Sequence, residues 1–242
     1  PVPGEMSRKN LIHAVHCLNL KYDNVGNDLI NFDLIKNDDE IIGWSNVSDQ
    51  ISCPTFIKYL KDLAEYAVRK FRNNYLSDLY RGGFILWKKY SRRDIHRILC
   101  WEVNPIPLSV GGYMISQDKD QSNCPIFVTY HKNEDISVTT QYEDDFLHQS
   151  RIQWFTKNNR NLDSPEVKYI KNLNNEQRIP LFVKKDDDEG KSYYYLGDVK
   201  ADVESFSQEY MDDKDGKKIS VVKLNFDLND SVPDSLYKYL IQ

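Results

Sequence analysis

The chain has 242 residues, which is enough for one large domain or two small ones. Hydrophobic residues make up 40% of it and aromatic residues 12%, so it can fill a core and does not have the composition of a disordered protein. The net charge of −5 argues against a uniformly basic surface but leaves room for a local basic face, because acidic residues cluster at residues 186–189 and 212–215.

The first part of the chain, residues 1–89, is predicted to be a helical connector region. A helix is indicated from Pro54 onward, because apolar residues recur on one helical face at Phe56, Leu60, Leu63, Ala64, Ala67 and Phe71. The basic residues around this face are explained more simply by exposure to solvent than by contact with DNA. Gly82 and Gly83 form the expected hinge, and Ser91 with Asp94 is typical of a capping box that opens another helix.

After Pro105 the pattern changes to β-strands. Runs of β-branched and aromatic residues, bounded by turn residues, lie at residues 112–116, 124–131, 136–142, 152–157, 179–185, 191–199 and 217–228. The two acidic clusters are predicted hairpin turns, and residues 163–173 are predicted to form a short helix. Closing these strands into a barrel would remove exposed sheet edges. The expected fold class is therefore α+β, with an N-terminal helical segment followed by a mixed or antiparallel β-barrel over residues 90–242.

Residues 151–160, with the sequence RIQWFTKNNR, combine cations with aromatic rings. Arg151, Lys157 and Arg160 interleave with Trp154 and Phe155, and no acidic residue lies between Phe146 and Leu162. Cations bind phosphate oxygens, and exposed rings give nucleic-acid bases a surface on which to stack. This stretch indicates a nucleic-acid partner. We expect Arg151, Lys157 and Arg160, together with Lys132, to contact the DNA backbone.

Several sequence blocks also carry a resemblance to a known family. The blocks CPIFVTYHK, YEDDFL, WFTKNNR, LFVKKDDDEG and YYYLG occur in this order within residues 90–242. They resemble the C-terminal domain of large helicase-nuclease proteins, the modification-dependent (type IV) restriction endonucleases. The resemblance implies an SRA-like or PUA-like barrel that recognises 5-methylcytosine in double-stranded DNA. It also implies a bacterial, cytoplasmic parent protein that restricts phage and other foreign DNA, and whose ATPase and nuclease domains are partners of this one.

A cytosine pocket needs rings for the faces of the base and an acceptor for its exocyclic amine. We expect such a pocket to be drawn from Tyr130, His131, Tyr142, Asp144, Trp154 and Phe155. Each residue also has a simpler interpretation: the rings can belong to the core, His131 to the solvated surface and Asp144 to an ordinary acidic turn. Strand alternation places Trp154 in the core and Phe155 on the polar face, although a bulge would reverse this.

The motor and nuclease motifs of the resembled family are not found in this sequence. It has no GxxxxGK[ST] phosphate loop, and His131-Lys132 lacks the spacing of the phospholipase-D-type HKD motif. The four cysteines form no CxxC pair, so free thiols are expected, with neither a metal nor another cofactor. Because the sequence begins with Pro1, we expect it to be an excerpt of a longer protein. No apolar run is long enough for a membrane span.

The expected function is thus a non-catalytic reader of 5-methylcytosine that extrudes the base from the duplex. Whether 5-hydroxymethylcytosine is also accepted stays open. Three alternatives remain: a major-groove methyl reader that does not flip the base, a protein-interaction module, and a cryptic nuclease or deaminase domain. Metal-dependent cleavage would identify the last, and absence of DNA binding at low salt would favour the interaction module.

Overall fold

The computed structural model describes residues 8–18, 35–38, 41–44, 53–101, 104–105, 110–116, 122–131, 144–174, 177–212 and 217–242. The chain divides into two compact units. One comprises residues 1–83 and 93–105, and the other residues 84–92 and 106–242. Among the described residues, no helix combines the length and the apolar character needed to cross a lipid bilayer.

The first unit contains helices and a small hairpin. Its elements are α1 (Arg8–Leu18), β1 (Ile35–Asp38), β2 (Ile41–Trp44), α2 (Pro54–Tyr75) and β3 (Tyr80–Arg81), and most of α3 (Arg92–Ile98) also belongs to it. Strands β1 and β2 pair antiparallel, a hairpin that was not predicted within this helical region. Helix α2 begins at Pro54, as predicted, and its Tyr59 and Leu63 side chains are 67% and 62% exposed.

The second unit is built on strands. In chain order these are β4 (Phe84–Ile85), β5 (Lys89–Ser91), β6 (Ile126–His131), β7 (Asp145–His148), β8 (Arg151–Phe155), β9 (Pro180–Asp186), β10 (Ser192–Ala201), β11 (Ser207–Asp212) and β12 (Lys218–Leu228). Two helices, α4 (Pro165–Lys171) and α5 (Asp234–Ile241), complete it. Five predicted strands thus correspond to β6, β8, β9, β10 and β12. The predicted strand at 112–116 is reduced to one bridge, Tyr113 to Ile126, and that at 136–142 lies outside the described residues.

An eight-stranded mixed sheet organises this unit, in the order β6-β9-β10-β12-β8-β7, with β5 paired to β10 and β11 paired to β12. Strands β6 and β9 run parallel, whereas the other neighbours are antiparallel. Residues 194–198 of β10 pair with β9 and residues 199–201 pair with β12, so one strand serves both halves of the sheet. Its register shifts between Tyr195 and Gly197, where Gly197 has a φ of 105°.

Side chains bring the two end strands of this order together. The Tyr130 hydroxyl on β6 donates a hydrogen bond to Asp145 Oδ1 on β7 at 2.6 Å, and the Tyr130 ring lies 5.7 Å from the Phe146 ring. The sheet therefore curves into a nearly closed barrel. Its core is apolar and includes Ile126, Ile152, Leu181, Leu196 and Phe226. The predicted α+β class, with a helical segment followed by a mixed barrel, is confirmed.

Candidate functional site

A cavity of about 630 Å³ opens in the second unit beside the end of β8. Its walls come from β6, β8 and the turn at residues 111–113, with single contributions from other segments. The lining residues are Arg92, Gly111, Gly112, Tyr113, Phe127, Thr129, Asp144, Trp154, Phe155, Thr156, Lys157, Asn158, Arg160 and Asp187. This volume falls in the range of about 300–1,000 Å³ that is usual for small-molecule pockets.

Aromatic rings form the apolar part of the wall. Tyr113 and Trp154 are buried, and their rings meet edge to face with centroids 5.0 Å apart. Trp154 also packs 5.4 Å from the core residue Phe226. Phe155 points to the opposite side of β8 and is only partly buried, as strand alternation predicts. Trp154 therefore supports the cavity from the core, and Phe155 is a partly accessible residue of its lining.

Three cations line the cavity: Arg92, Lys157 and Arg160. Lys157 Nζ is 4.6 Å from the centroid of the Tyr113 ring, and the Arg92 guanidinium is 4.7 Å from that of Phe127. Arg160 Nε donates to Glu166 Oε1 at 3.0 Å. Burial, followed by the nearby charge of Arg160, lowers the pKa of Lys157. No ion pair joins Lys157 to a carboxylate in the described part of the chain, so a phosphate could supply its missing counter-charge.

Asp144 places a carboxylate in the cavity wall. Only 8% of this residue is exposed, and its Oδ1 accepts a hydrogen bond of 3.1 Å from the backbone N–H of Phe155. One carboxylate oxygen is therefore used to hold the end of β8. The second carboxylate among the lining residues, Asp187, accepts a hydrogen bond from Lys184 Nζ at 2.8 Å.

Two buried oxygens of the wall have no hydrogen-bond partner within the described residues, Tyr113 Oη and Asn158 Oδ1. Burial, followed by the charge of Glu166, raises the pKa of Tyr113 to about 12, while the nearby Lys157 backbone lowers it by less. The Tyr113 hydroxyl therefore stays protonated at neutral pH and retains a proton to donate. The Asn158 oxygen can only accept.

The cavity gathers five of the ten residues predicted from the sequence: Asp144, Trp154, Phe155, Lys157 and Arg160. Three others lie elsewhere, namely Tyr130, His131 and Arg151. Tyr142 and Lys132 are outside the described residues. Residues 144–160 alone supply all five, because β7 and β8 are neighbours in the sheet and bring the YEDDFL and WFTKNNR blocks together.

The three predicted residues outside the cavity are either bonded to carboxylates or exposed to solvent. Tyr130 bonds to Asp145 between β6 and β7; burial, that hydrogen bond and the charge of Asp145 raise its pKa. His131 is exposed at the end of β6. The Arg151 guanidinium is held by two carboxylates, Asp202 and Asp227, the latter at 2.8 Å. The prediction that these three contact DNA therefore stays a prediction.

Sequence reasoning missed Tyr113, Phe127, Asn158 and Arg92. Asn158 lay within the WFTKNNR block and could have been found there as a polar side chain beside two rings. Tyr113 and Arg92 gave no such signal, because they reach the cavity through long-range packing. Within the described residues, no cluster of three or more His, Cys, Asp or Glu side chains is arranged to hold a metal ion.

Comparison with known proteins identifies the family. The family model for DUF3427, a domain of unknown function, matches residues 84–240, so the chain belongs to this family. No curated protein matches the chain.

Two solved structures are similar to parts of the chain. One contains the sulfur-binding and SRA domains of ScoMcrA complexed with phosphorothioated DNA; it is 8% identical with a TM-score of 0.35, and the match covers 65% of this chain and 45% of that one. The other is KRYPTONITE in complex with mCHG DNA and SAH; it is 13% identical with a TM-score of 0.35, and the match covers 66% of this chain and 36% of that one. Each match spans less than half of the solved chain.

Proposed function

We propose that the barrel unit recognises 5-methylcytosine in double-stranded DNA by holding the extruded base in the 630 Å³ cavity. The observation that carries this proposal is the combination, in one cavity, of ring walls, a buried carboxylate and a cation without a carboxylate partner among the described residues. Each of these features matches one part of a nucleotide: the rings match the base, the polar wall matches its edge, and the cation matches the phosphate.

The energetics favour an enclosing cavity over contact in the groove. A methyl group removed from water contributes about 0.8 kcal/mol, which is only about a fourfold preference if the methyl is merely touched. Extrusion of a base costs a few kcal/mol, which stacking of about 1–3 kcal/mol per base and hydrogen bonds in the pocket can offset. A closed pocket adds discrimination, because an unmethylated base leaves a void beside the rings. Phe155 and Phe127 are the candidates for this role, since both residues line the cavity.

We infer further that the barrel belongs to a type IV restriction endonuclease similar to SauUSI, with an SRA-like fold. The sequence blocks named above support this inference. In such a protein, ATPase and nuclease domains would act on DNA that the barrel has selected. The exposed apolar side chains Tyr59, Leu63 and Tyr66 on α2 would suit contact with those domains.

The central experiment measures binding of this chain to paired duplexes that differ only in cytosine methylation. We expect tighter binding to the methylated duplex and increased emission from a fluorescent base analogue at the target position. Phe155→Ala should weaken methylated binding by about 1–3 kcal/mol through the loss of stacking, and should affect non-specific DNA less. Lys200→Ala, at an exposed residue outside the cavity lining, is the matched control.

The outcomes separate the alternatives. A methyl preference with unchanged analogue emission at saturating protein would indicate groove reading in place of base flipping. Equal binding to both duplexes would contradict methylcytosine recognition. No DNA binding at low salt would favour a protein-interaction module.

A further inference from the structure

Two buried oxygens distinguish the cavity wall from the rest of the barrel unit. In the described part of that unit, Tyr113 Oη and Asn158 Oδ1 are the buried side-chain atoms without a hydrogen-bond partner, and both residues line the same cavity. A buried polar atom without a partner destabilises a folded protein, so a native structure retains few of them. Their coincidence in one wall indicates that a bound molecule supplies the partners.

The chemistry of the pair is specific. Tyr113 offers a hydroxyl proton, and Asn158 Oδ1 offers an acceptor. The pairing edge of cytosine carries an amino donor at N4 beside acceptors at N3 and O2, which is the complementary pattern. Thymine carries an acceptor at O4 in place of this amine, so Asn158 Oδ1, in the orientation that the structure describes, would face another acceptor. The Tyr113 hydroxyl can also accept a hydrogen bond and is therefore compatible with either base. Asn158 Oδ1 is therefore the group that favours cytosine, because two acceptors that face each other both lack a partner when thymine is bound.

Resting on the function proposed above, we propose that Tyr113 and Asn158 are the residues that read the pairing edge of the flipped base. Tyr113 Oη donates to a ring acceptor of cytosine, and Asn158 Oδ1 accepts from the N4 amine. In this assignment Asp144 is a positioning residue: its Oδ1 accepts the backbone N–H of Phe155 and holds the end of β8.

Lys157 covers the Tyr113 ring in the free protein. Its side chain lies over the Tyr113 ring, and its Cε would be 3.0 Å from a Cβ placed on Gly111, so it fits between the two. A lysine side chain is flexible, and its ammonium gains a counter-charge on a DNA phosphate. We expect a DNA phosphate to draw Lys157 off the Tyr113 ring, which would open this part of the wall to the base.

A double-mutant cycle between protein and base tests the pair. Affinities of the wild type and Asn158→Leu are measured for duplexes with 5-methylcytosine or with 5-methyl-2-pyrimidinone, which lacks the 4-amino group, at the target. The analogue changes the cost of extrusion, but equally for both proteins, so the cycle cancels that cost. We expect removal of the amine to cost the wild type about twofold to tenfold more than Asn158→Leu, which corresponds to one net hydrogen bond.

Tyr113→Phe provides a readout that a purely structural role would not give. It removes only an unpartnered hydroxyl, so the melting temperature without DNA should stay equal or rise, while affinity for methylated DNA falls about twofold to tenfold. A lower melting temperature with unchanged affinity would overturn the role of Tyr113 and assign its hydroxyl to the fold.

Asp144→Asn separates the two candidate acceptors. If the amine couples to Asp144 and not to Asn158, the assignment of the base-reading pair is wrong although base flipping stands. Coupling to neither residue, with a retained methyl preference, also overturns the pair. If the wild type shows no methyl preference at all, the proposed function fails first, and the pair fails with it.

Discussion

The cations Arg151, Lys157 and Arg160 lie within ten residues of one another but differ in what neutralises them. Arg151 is held by two carboxylates and Arg160 by Glu166, whereas Lys157 rests on the Tyr113 ring. A cation that already has a carboxylate partner releases fewer counterions when it meets a phosphate. From their positions in the sequence alone, the three residues would be expected to contribute equally to DNA binding. Their ion pairs instead predict that Lys157 contributes most.

This ranking predicts the salt dependence of DNA binding. Lys157→Ala should lower the log–log slope of affinity against salt by about one unit, because one phosphate contact is lost, and Arg151→Ala should lower it by less. Because the pKa of Lys157 is lowered, its charge disappears at a lower pH than that of an ordinary lysine. The wild-type slope should therefore shrink as pH rises, while Lys157→Arg keeps it. A slope unchanged in Lys157→Ala would place this residue away from the DNA backbone.

Among the elements, β10 has the most demanding geometry, because it pairs with β5 and β9 along residues 192–198 and with β12 at its end. Gly197 lies at the register shift with a φ of 105°, where a side chain is strained whatever the space around it. A Cβ there would also meet Leu86 Cδ2 at 3.4 Å. Glycine at this position permits the strand to serve both halves of the sheet.

We therefore expect Gly197→Ala to lower the free energy of unfolding by about 1–3 kcal/mol, the usual cost of a strained backbone. Urea denaturation measures this directly. Gly112→Ala is the matched control, because Gly112 has no positive φ and a Cβ there would meet only the Phe127 carbonyl oxygen at an ordinary 3.7 Å. Equal stability of the two variants would show that β10 can bend without a glycine.

The strands differ in how well the sequence alone predicts them. Strands β6, β8, β9, β10 and β12 were predictable, because their β-branched and aromatic runs are bounded by local turn signals. Strand β7 was not, because DFLH is short and half polar and becomes a strand only by pairing with β8. The same distinction applies to the cavity. Five of its lining residues were predictable because they lie within residues 144–160. Tyr113 was not, because it reaches the cavity by packing against Trp154 across the core.

At the scale of the whole molecule, one segment comes close to a nucleotide-binding motif. The triplet Gly190-Lys191-Ser192 matches the end of a nucleotide-binding phosphate loop, but Lys185 stands where the motif requires its first glycine. A phosphate loop connects a strand to a helix whose N-terminus faces the phosphates. Here the triplet ends the turn between the antiparallel strands β9 and β10, so the backbone N–H groups of a following helix are not available to a phosphate.

We accordingly predict that the purified chain neither hydrolyses ATP nor cuts methylated plasmid. Lys191→Ala tests the first part: ATP turnover should stay at background in the wild type and in this variant, because Lys191 follows a hairpin turn and not a phosphate loop. DNA binding should persist in both proteins, which shows that the chain is folded and active in recognition. ATP hydrolysis that survives further purification and disappears in Lys191→Ala would contradict the prediction. Cleavage that persists through purification and is lost on a single substitution in the cavity, such as Asp144→Asn, would instead make the barrel itself a nuclease.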